Sequence, residues 1–194
     1  SFNWDKNSGC TPATITFLKD MTGIAKFWWD FDDGSPVDSL NANPIHQFIN
    51  VSSTSIEYRN VKLTVRSPGG CLDTFTAMIT IYPDIDAAFT ASTDTVCSGN
   101  SISFTALTGA NKYFWDYGDG VSGYSAAASS HVYTNFTPAP LVLTVSLTTT
   151  SFYNCTDVKT INVIVMPVPV PQFSADPDIQ IYDPSGNPVV FTNE

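Results

Sequence analysis

Basic residues are scarce in this chain: 8 Lys and Arg stand against 18 Asp and Glu, for a formal net charge of -10. A surface of that sign carries no electrostatic footprint for nucleic acid or anionic lipid, and neither is an expected partner. No apolar run reaches the roughly 20 residues that a membrane-spanning helix needs, because the best stretch, 161–170, is cut by Pro167 and Pro169. Membrane insertion is therefore not expected. Ser1 is not followed by a basic segment and an apolar stretch, so no signal peptide is expected and the sequence reads as a piece of a longer chain. No C-x-x-C occurs among Cys10, Cys71, Cys97 and Cys155, which removes the usual signature of zinc or redox chemistry. Leu, Glu and Lys are few, and nowhere do apolar residues recur at helical spacing.

What is abundant suits strands. Thr, Ser, Val and Phe dominate, 43% of residues are hydrophobic and only 13% are charged. Alternating segments predict strands at 14–18, 61–66 and 77–82, and again at 101–106, 142–147 and 160–165, with turn formers such as Ser67-Pro68-Gly69-Gly70 between them. Short strands at this spacing predict an all-β sandwich of two antiparallel sheets.

The chain matches itself at an offset of 84 to 87 residues. Phe2 falls on Phe89, Cys10 on Cys97, Phe17 on Phe104, Trp29 on Trp115, Gly34 on Gly120, Cys71 on Cys155 and Pro83 on Pro167. A period this long marks whole domains in tandem, each large enough for its own core. The expected division is 1–84 and 85–168, with 169–194 as linker and start of an incomplete third copy, since Val190-Phe191-Thr192 repeats Ser103-Phe104-Thr105. In that third copy Pro184 stands where Cys97 would be, so its bridge is expected to be missing. Linkers are expected at 83–89 and 167–173, and Pro167, Pro169 and Pro171 in the second predict an extended spacer that holds neighbouring domains apart.

Each copy holds two cysteines. Pairing within a copy, Cys10 with Cys71 and Cys97 with Cys155, repeats identically and is expected in preference to crossed pairs or reduced core thiols. It would close loops of about 60 residues and stabilise each copy by about 4 kcal/mol. Such bonds persist in an oxidising place, so an extracellular or cell-surface location is expected.

An aromatic run ending in acids and glycine is written twice, as Phe27-Trp28-Trp29-Asp30-Phe31-Asp32-Asp33-Gly34 and Tyr113-Phe114-Trp115-Asp116-Tyr117-Gly118-Asp119-Gly120. On a strand, Tyr113, Trp115 and Tyr117 share one face, which directs Trp115 between the sheets, while Gly118-Asp119-Gly120 is a tight-turn sequence. With His46-Gln47-Phe48 and His131-Val132-Tyr133 downstream, these residues resemble the polycystic kidney disease (PKD) domain family, whose signature is W-D-F-G-D-G followed by H-x-Y. The resemblance implies tandem immunoglobulin-like sandwiches serving as spacer, adhesive or accessory modules. Asp32 departs from it where Gly118 keeps the family glycine, and Phe48 lacks the hydroxyl of Tyr133. The cysteine-bearing form, with Val96-Cys97-Ser98-Gly99-Asn100 before a strand, resembles repeats of long surface adhesins of gliding Bacteroidota, which implies type IX secretion and adhesion.

Trp29, Asp30, Asp33, Gly34 and His46, with Trp115, Asp116, Asp119, Gly120 and His131, are accordingly expected to be structural. Asp30, Asp32 and Asp33 are the calcium candidates, but the twelfth position of an EF-hand count is Asn41, so capped turns are the expected role and no cofactor is required. No nucleophile motif accompanies either histidine, and no catalysis is expected. Trp4, Trp28, Tyr124, Phe152 and Tyr153 are candidates for a sugar platform. The expected function is a non-enzymatic stalk and adhesion segment whose partners are neighbouring repeats, surface glycans or other surface and secretion proteins. The alternative is a carbohydrate-binding or spacer module of a secreted hydrolase.

Overall fold

The computed structural model describes residues 2–19, 22–169, 173–176 and 190–193, and every regular element among them is a strand. The first group comprises β1 (Phe2–Trp4), β2 (Ser8–Cys10), β3 (Ala13–Lys19), β4 (Lys26–Asp30), β5 (Ile45–Phe48), β6 (Glu57–Arg66) and β7 (Leu72–Tyr82). The second comprises β8 (Phe89–Ala91), β9 (Thr95–Cys97), β10 (Ser101–Ala106), β11 (Lys112–Asp116), β12 (Ser122–Ser125), β13 (Ala128–Val132), β14 (Leu141–Thr150) and β15 (Thr156–Met166). A final pair, β16 (Phe173–Asp176) and β17 (Val190–Asn193), follows.

Each of the first two groups is an immunoglobulin-like sandwich with its own core. Sheet β1-β3-β5 faces sheet β2-β7-β6-β4, and sheet β13-β10-β8 faces sheet β12-β11-β14-β15-β9. Period-two patterning decides which face goes inward: in β10, Ile102, Phe104 and Ala106 are buried while Ser101, Ser103 and Thr105 are exposed. The two cores are built from matched residues. Phe2, Ile15, Phe17, Trp29, Phe48, Leu63, Ile79 and Ile81 form one, and Phe89, Ile102, Phe104, Trp115, Tyr133, Leu147, Val163 and Val165 the other. Trp29 and Trp115 are fully buried, each edge-on to the leading phenylalanine, Phe2 at 4.8 Å and Phe89 at 5.1 Å. An indole filling the space between sheets is the kind of anchor whose truncation to alanine costs about 3–5 kcal/mol.

The final pair repeats the register of the earlier ones. Ala175 lies opposite Phe191, as Ala91 lies opposite Phe104 and Trp4 opposite Phe17. Pro171 and Pro184 fall outside the described residues.

The expected disulfides are not formed. Cys10 bonds to Cys155 across the two sandwiches, 145 residues apart, with a Cα–Cα distance of 5.6 Å, and Cys71 and Cys97 are free and exposed. The reason is the length of one strand. Cys10 pairs in register with Tyr82 at the end of β7, whereas Cys71 precedes Leu72 at its start. Ten residue steps of extended chain are about 33 Å, far beyond the roughly 7 Å that a disulfide tolerates between Cα atoms. Cys97, in register with Met166, and Cys155, just before Thr156, are parted by β15 in the same way. A pairing staggered from one copy to the next repeats as faithfully as one within each copy, so the repeat alone did not decide between them.

Candidate functional site

In each sandwich the duplicated motif forms a compact polar turn against the core. Asp30 Oδ1 accepts the Asp32 amide at 3.2 Å, and Asp116 Oδ1 the Gly118 amide at 3.0 Å. Asp33 Oδ1 accepts the Ser35 amide at 3.0 Å, and Asp119 Oδ1 the Val121 amide at 3.1 Å. Within the second Asx turn of each motif the backbone turns left-handed at Gly34 and Gly120, with φ of 81° and 91°. The second oxygen of each turn aspartate meets a histidine: His46 Nε2 lies 2.7 Å from Asp33 Oδ2, and His131 Nε2 lies 2.7 Å from Asp119 Oδ2. The imidazoles stack on Phe31 at 3.8 Å and Tyr117 at 4.1 Å. Burial pushes the carboxyls of Asp33 and Asp119 up, but the histidine bond and the backbone bonds outweigh it, and both end below the usual carboxylate range. An Asp–His pair supplies orientation and a proton acceptor, yet among the described residues no hydroxyl or thiol is hydrogen-bonded to either ring.

Asp32 occupies the place of Gly118 and adopts the same left-handed backbone, φ 60° against 80°. Its Oδ2 accepts the Asn60 amide at 2.9 Å, while its carbonyl receives Arg59 Nη1 at 3.3 Å. Asp30 pairs with Lys62 at 3.2 Å. The three acids proposed for calcium thus serve three separate partners, and among the described residues no group of three His, Cys, Asp or Glu side chains converges. Phe48 and Tyr133 are both fully buried, and the Tyr133 hydroxyl donates to the Tyr117 carbonyl at 3.2 Å, a bond that Phe48 lacks.

A second duplicated polar element escaped the reading of the sequence. Asn50 is buried and donates through Nδ2 to the carbonyls of Ser55 and Ile81, at 2.8 and 3.0 Å, while its Oδ1 accepts the Ser52 amide. Asn135 does the same with Ala139, Val165 and Thr137. Each ties the loop after its histidine strand to the last strand of its sandwich, saturating a buried amide. The signal was present in the spacing, as His46-Gln47-Phe48-Ile49-Asn50 and His131-Val132-Tyr133-Thr134-Asn135.

The contacts between the sandwiches form the most distinctive site. Beside the Cys10–Cys155 bond, Tyr82 and Tyr153 stack with centroids 4.6 Å apart. Asp157 Oδ2 accepts the amide of Ala87, a fully buried residue of the connecting segment, at 2.8 Å. The 83–89 connection is thus pinned to both sandwiches, while the second linker, whose Pro167, Pro169 and Pro171 predict an extended spacer, lies partly outside the described residues. A cleft of about 650 Å³ opens beside the first connection, between Thr54 and Asp84 on one side and Leu107 and Phe152 on the other. Of the aromatic candidates only Phe152 and Tyr153 line it. Phe152 and Tyr153 flank the junction, Tyr124 packs edge-on against Phe114 at 5.1 Å on the outer face of the second sandwich, and Trp4 packs on the first core.

No helix of the described residues is long and apolar enough to cross a membrane. Neither the profiles of known protein families nor any curated protein sequence matches the chain. Among solved structures, it is similar to the fibronectin(III)-like modules of CbhA from Clostridium thermocellum, at 10% identity and a TM-score of 0.41, covering 86% of this chain and 95% of that one. Murine CEACAM1b is similar at 9% identity and a TM-score of 0.35, covering 86% and 99% of the two chains. Carbohydrate-binding modules of the β-sandwich superfamily are similar at 16% identity and a TM-score of 0.36, covering 86% and 83%. All are β-sandwich modules, and at these scores the similarity says nothing of ligand or partner.

Proposed function

We propose that this chain is a non-enzymatic segment of an exported surface protein, a stalk of PKD-like domains at 1–84 and 85–168 with a third begun at 169–194. The observation that carries the reading is the junction: one covalent bond, one aromatic stack and one capped linker amide join two otherwise complete sandwiches. A ligand-binding or catalytic module needs one cleft with converging groups. A stalk needs fixed angles between durable beads, and a cross-link between beads supplies them. The disulfide favours an oxidising compartment and hence the outside of the cell. The resemblance of the cysteine-bearing copies to Bacteroidota adhesin repeats supports adhesion, gliding motility and type IX export as the setting.

Small-angle scattering of the oxidised and reduced chain tests the stalk. A single narrow distribution of sizes is expected with the bond intact, and a broader one after reduction. A broad distribution with the bond intact overturns the reading. Retention of the chain on a glycan array would move the function to the alternative, a carbohydrate-binding accessory module.

A further inference from the structure

Cys71 and Cys97 are not stray thiols. The five-residue turn ending at Cys71 is built like the one ending at Cys155: Ser67 N donates to Cys71 O at 2.9 Å and Cys71 N to Ser67 Oγ at 3.1 Å, as Ser151 N donates to Cys155 O at 2.8 Å and Cys155 N to Ser151 Oγ at 3.1 Å. The residue before each cysteine is left-handed, Gly70 at φ 93° and Asn154 at φ 62°. Cys97 likewise repeats the frame of Cys10. Each closes a short parallel pairing with the last strand of its sandwich, opposite Met166 and Tyr82, and each is followed by an amide bonded to that residue's carbonyl, from Ser98 at 2.9 Å and Thr11 at 3.1 Å. The formed bond between Cys10 and Cys155 shows what these two frames do when they meet.

We propose that Cys97 and Cys71 are the two open halves of the same inter-bead disulfide, Cys97 taking the turn cysteine of a following bead and Cys71 the strand cysteine of a preceding one. Each of the two sandwiches then carries an incoming thiol at its hairpin turn and an outgoing thiol at the opposite end of its last strand, about 33 Å away along 11 residues. Both open halves are exposed, whereas Cys155, their bonded counterpart, is 3% exposed. The chemistry needs a disulfide oxidant of the glutathione type. The Cys97 thiolate attacks it, forms a mixed disulfide and releases one thiolate; the turn cysteine's thiolate then attacks the Cys97 sulfur and releases the second. Two protein thiols are oxidised, the oxidant is reduced to two thiols, and the two protons pass to the leaving sulfurs.

The proposal rests on the tandem-array reading, and one experiment separates the two. In a fusion of two chains, residue 172 of the leading copy runs into Phe2 of the trailing copy, Phe2 replacing its equivalent Phe173. Cys71→Ser in the leading copy and Cys97→Ser in the trailing copy leave Cys97 and Cys71 facing each other across the new junction. After refolding in mixed oxidised and reduced glutathione, both thiols are expected to lose alkylation by iodoacetamide, and mass spectrometry to find a peptide joining them. The reverse fusion, with Cys97→Ser leading and Cys71→Ser trailing, is expected to keep both thiols alkylatable. Equal linkage in both fusions, or linkage in neither while Cys10–Cys155 peptides are present, overturns the proposal. Absence of the Cys10–Cys155 peptide overturns it together with the array reading beneath it.

Discussion

Tyr82 lies flat against Tyr153, centroids 4.6 Å apart and planes within 5°, although the two rings belong to different sandwiches. Such a stack is worth about 0.5–1.5 kcal/mol, far less than the covalent bond beside it. Tyr153→Ala alone is therefore expected to leave the oxidised junction in place. Combined with Cys155→Ser it is expected to free the beads, so that residual dipolar couplings of the two halves no longer fit one alignment tensor.

Reduction of Cys10–Cys155 is expected to destabilise both sandwiches. When either one unfolds with its neighbour intact, the bond and the connecting segment still close a loop of about 70 residues, for which chain entropy gives up to about 4 kcal/mol. Cys10→Ser should lower the unfolding free energy of each bead by about 2–4 kcal/mol, seen as lower denaturant midpoints by tryptophan fluorescence with Trp29 or Trp115 as sole reporter. Cys71→Ser should leave both midpoints where they were.

Gly118 and Asp32 hold equivalent backbone positions with opposite tolerance. A Cβ on Gly118 would lie 2.5 Å from the Thr144 carbonyl oxygen, on top of a left-handed φ of 80°. Gly118→Ala is expected to cost about 2–4 kcal/mol in urea titration. Asp32→Gly exchanges the Asn60 hydrogen bond for relief of the same conformation, and is expected to stay within about 1 kcal/mol.

Acid and alkali should act on different residues. Asp33 and Asp119, with folded pKa values below the unfolded ones, contribute stability that is present above the unfolded value near pH 4 and lost as pH falls through the folded value. Asp33→Asn and Asp119→Asn should flatten the acid limb of a stability–pH curve. Burial raises the Tyr133 phenol well above its ordinary value. Its contribution is fully present below about pH 10 and declines as pH rises toward the folded value, so Tyr133→Phe should remove an alkaline loss confined to the second sandwich.

The all-β class, the paired cores and the inward faces of Trp29 and Trp115 were legible because one buried face imposes strict alternation. The start of β7 was not: Leu72 to Thr76 are all exposed, so nothing in their order marks an inside, and the strand was predicted only from Ala77. That unread half carried the error about the bridges, since the full strand length is what separates Cys71 from Cys10. The short strands β2, β9 and β12 are held by pairing with a neighbour and leave no periodic trace in three or four residues. Asn50 and Asn135 were missed because an asparagine after a strand resembles an ordinary turn former, and its inward aim depends on tertiary contacts.

The staggered bond also decides where tension travels. A pull on the two ends would run along the chain as far as Cys10, cross the sulfur bridge, and leave from Cys155 without entering the segment between them. At about 3.5 Å per extended residue, roughly 500 Å of contour length is held out of the load path while the bridge lasts. In this chain only the residues before Cys10 and those after Cys155, β15 among them, could then give slack, and a change of redox state would set how far it can pay out.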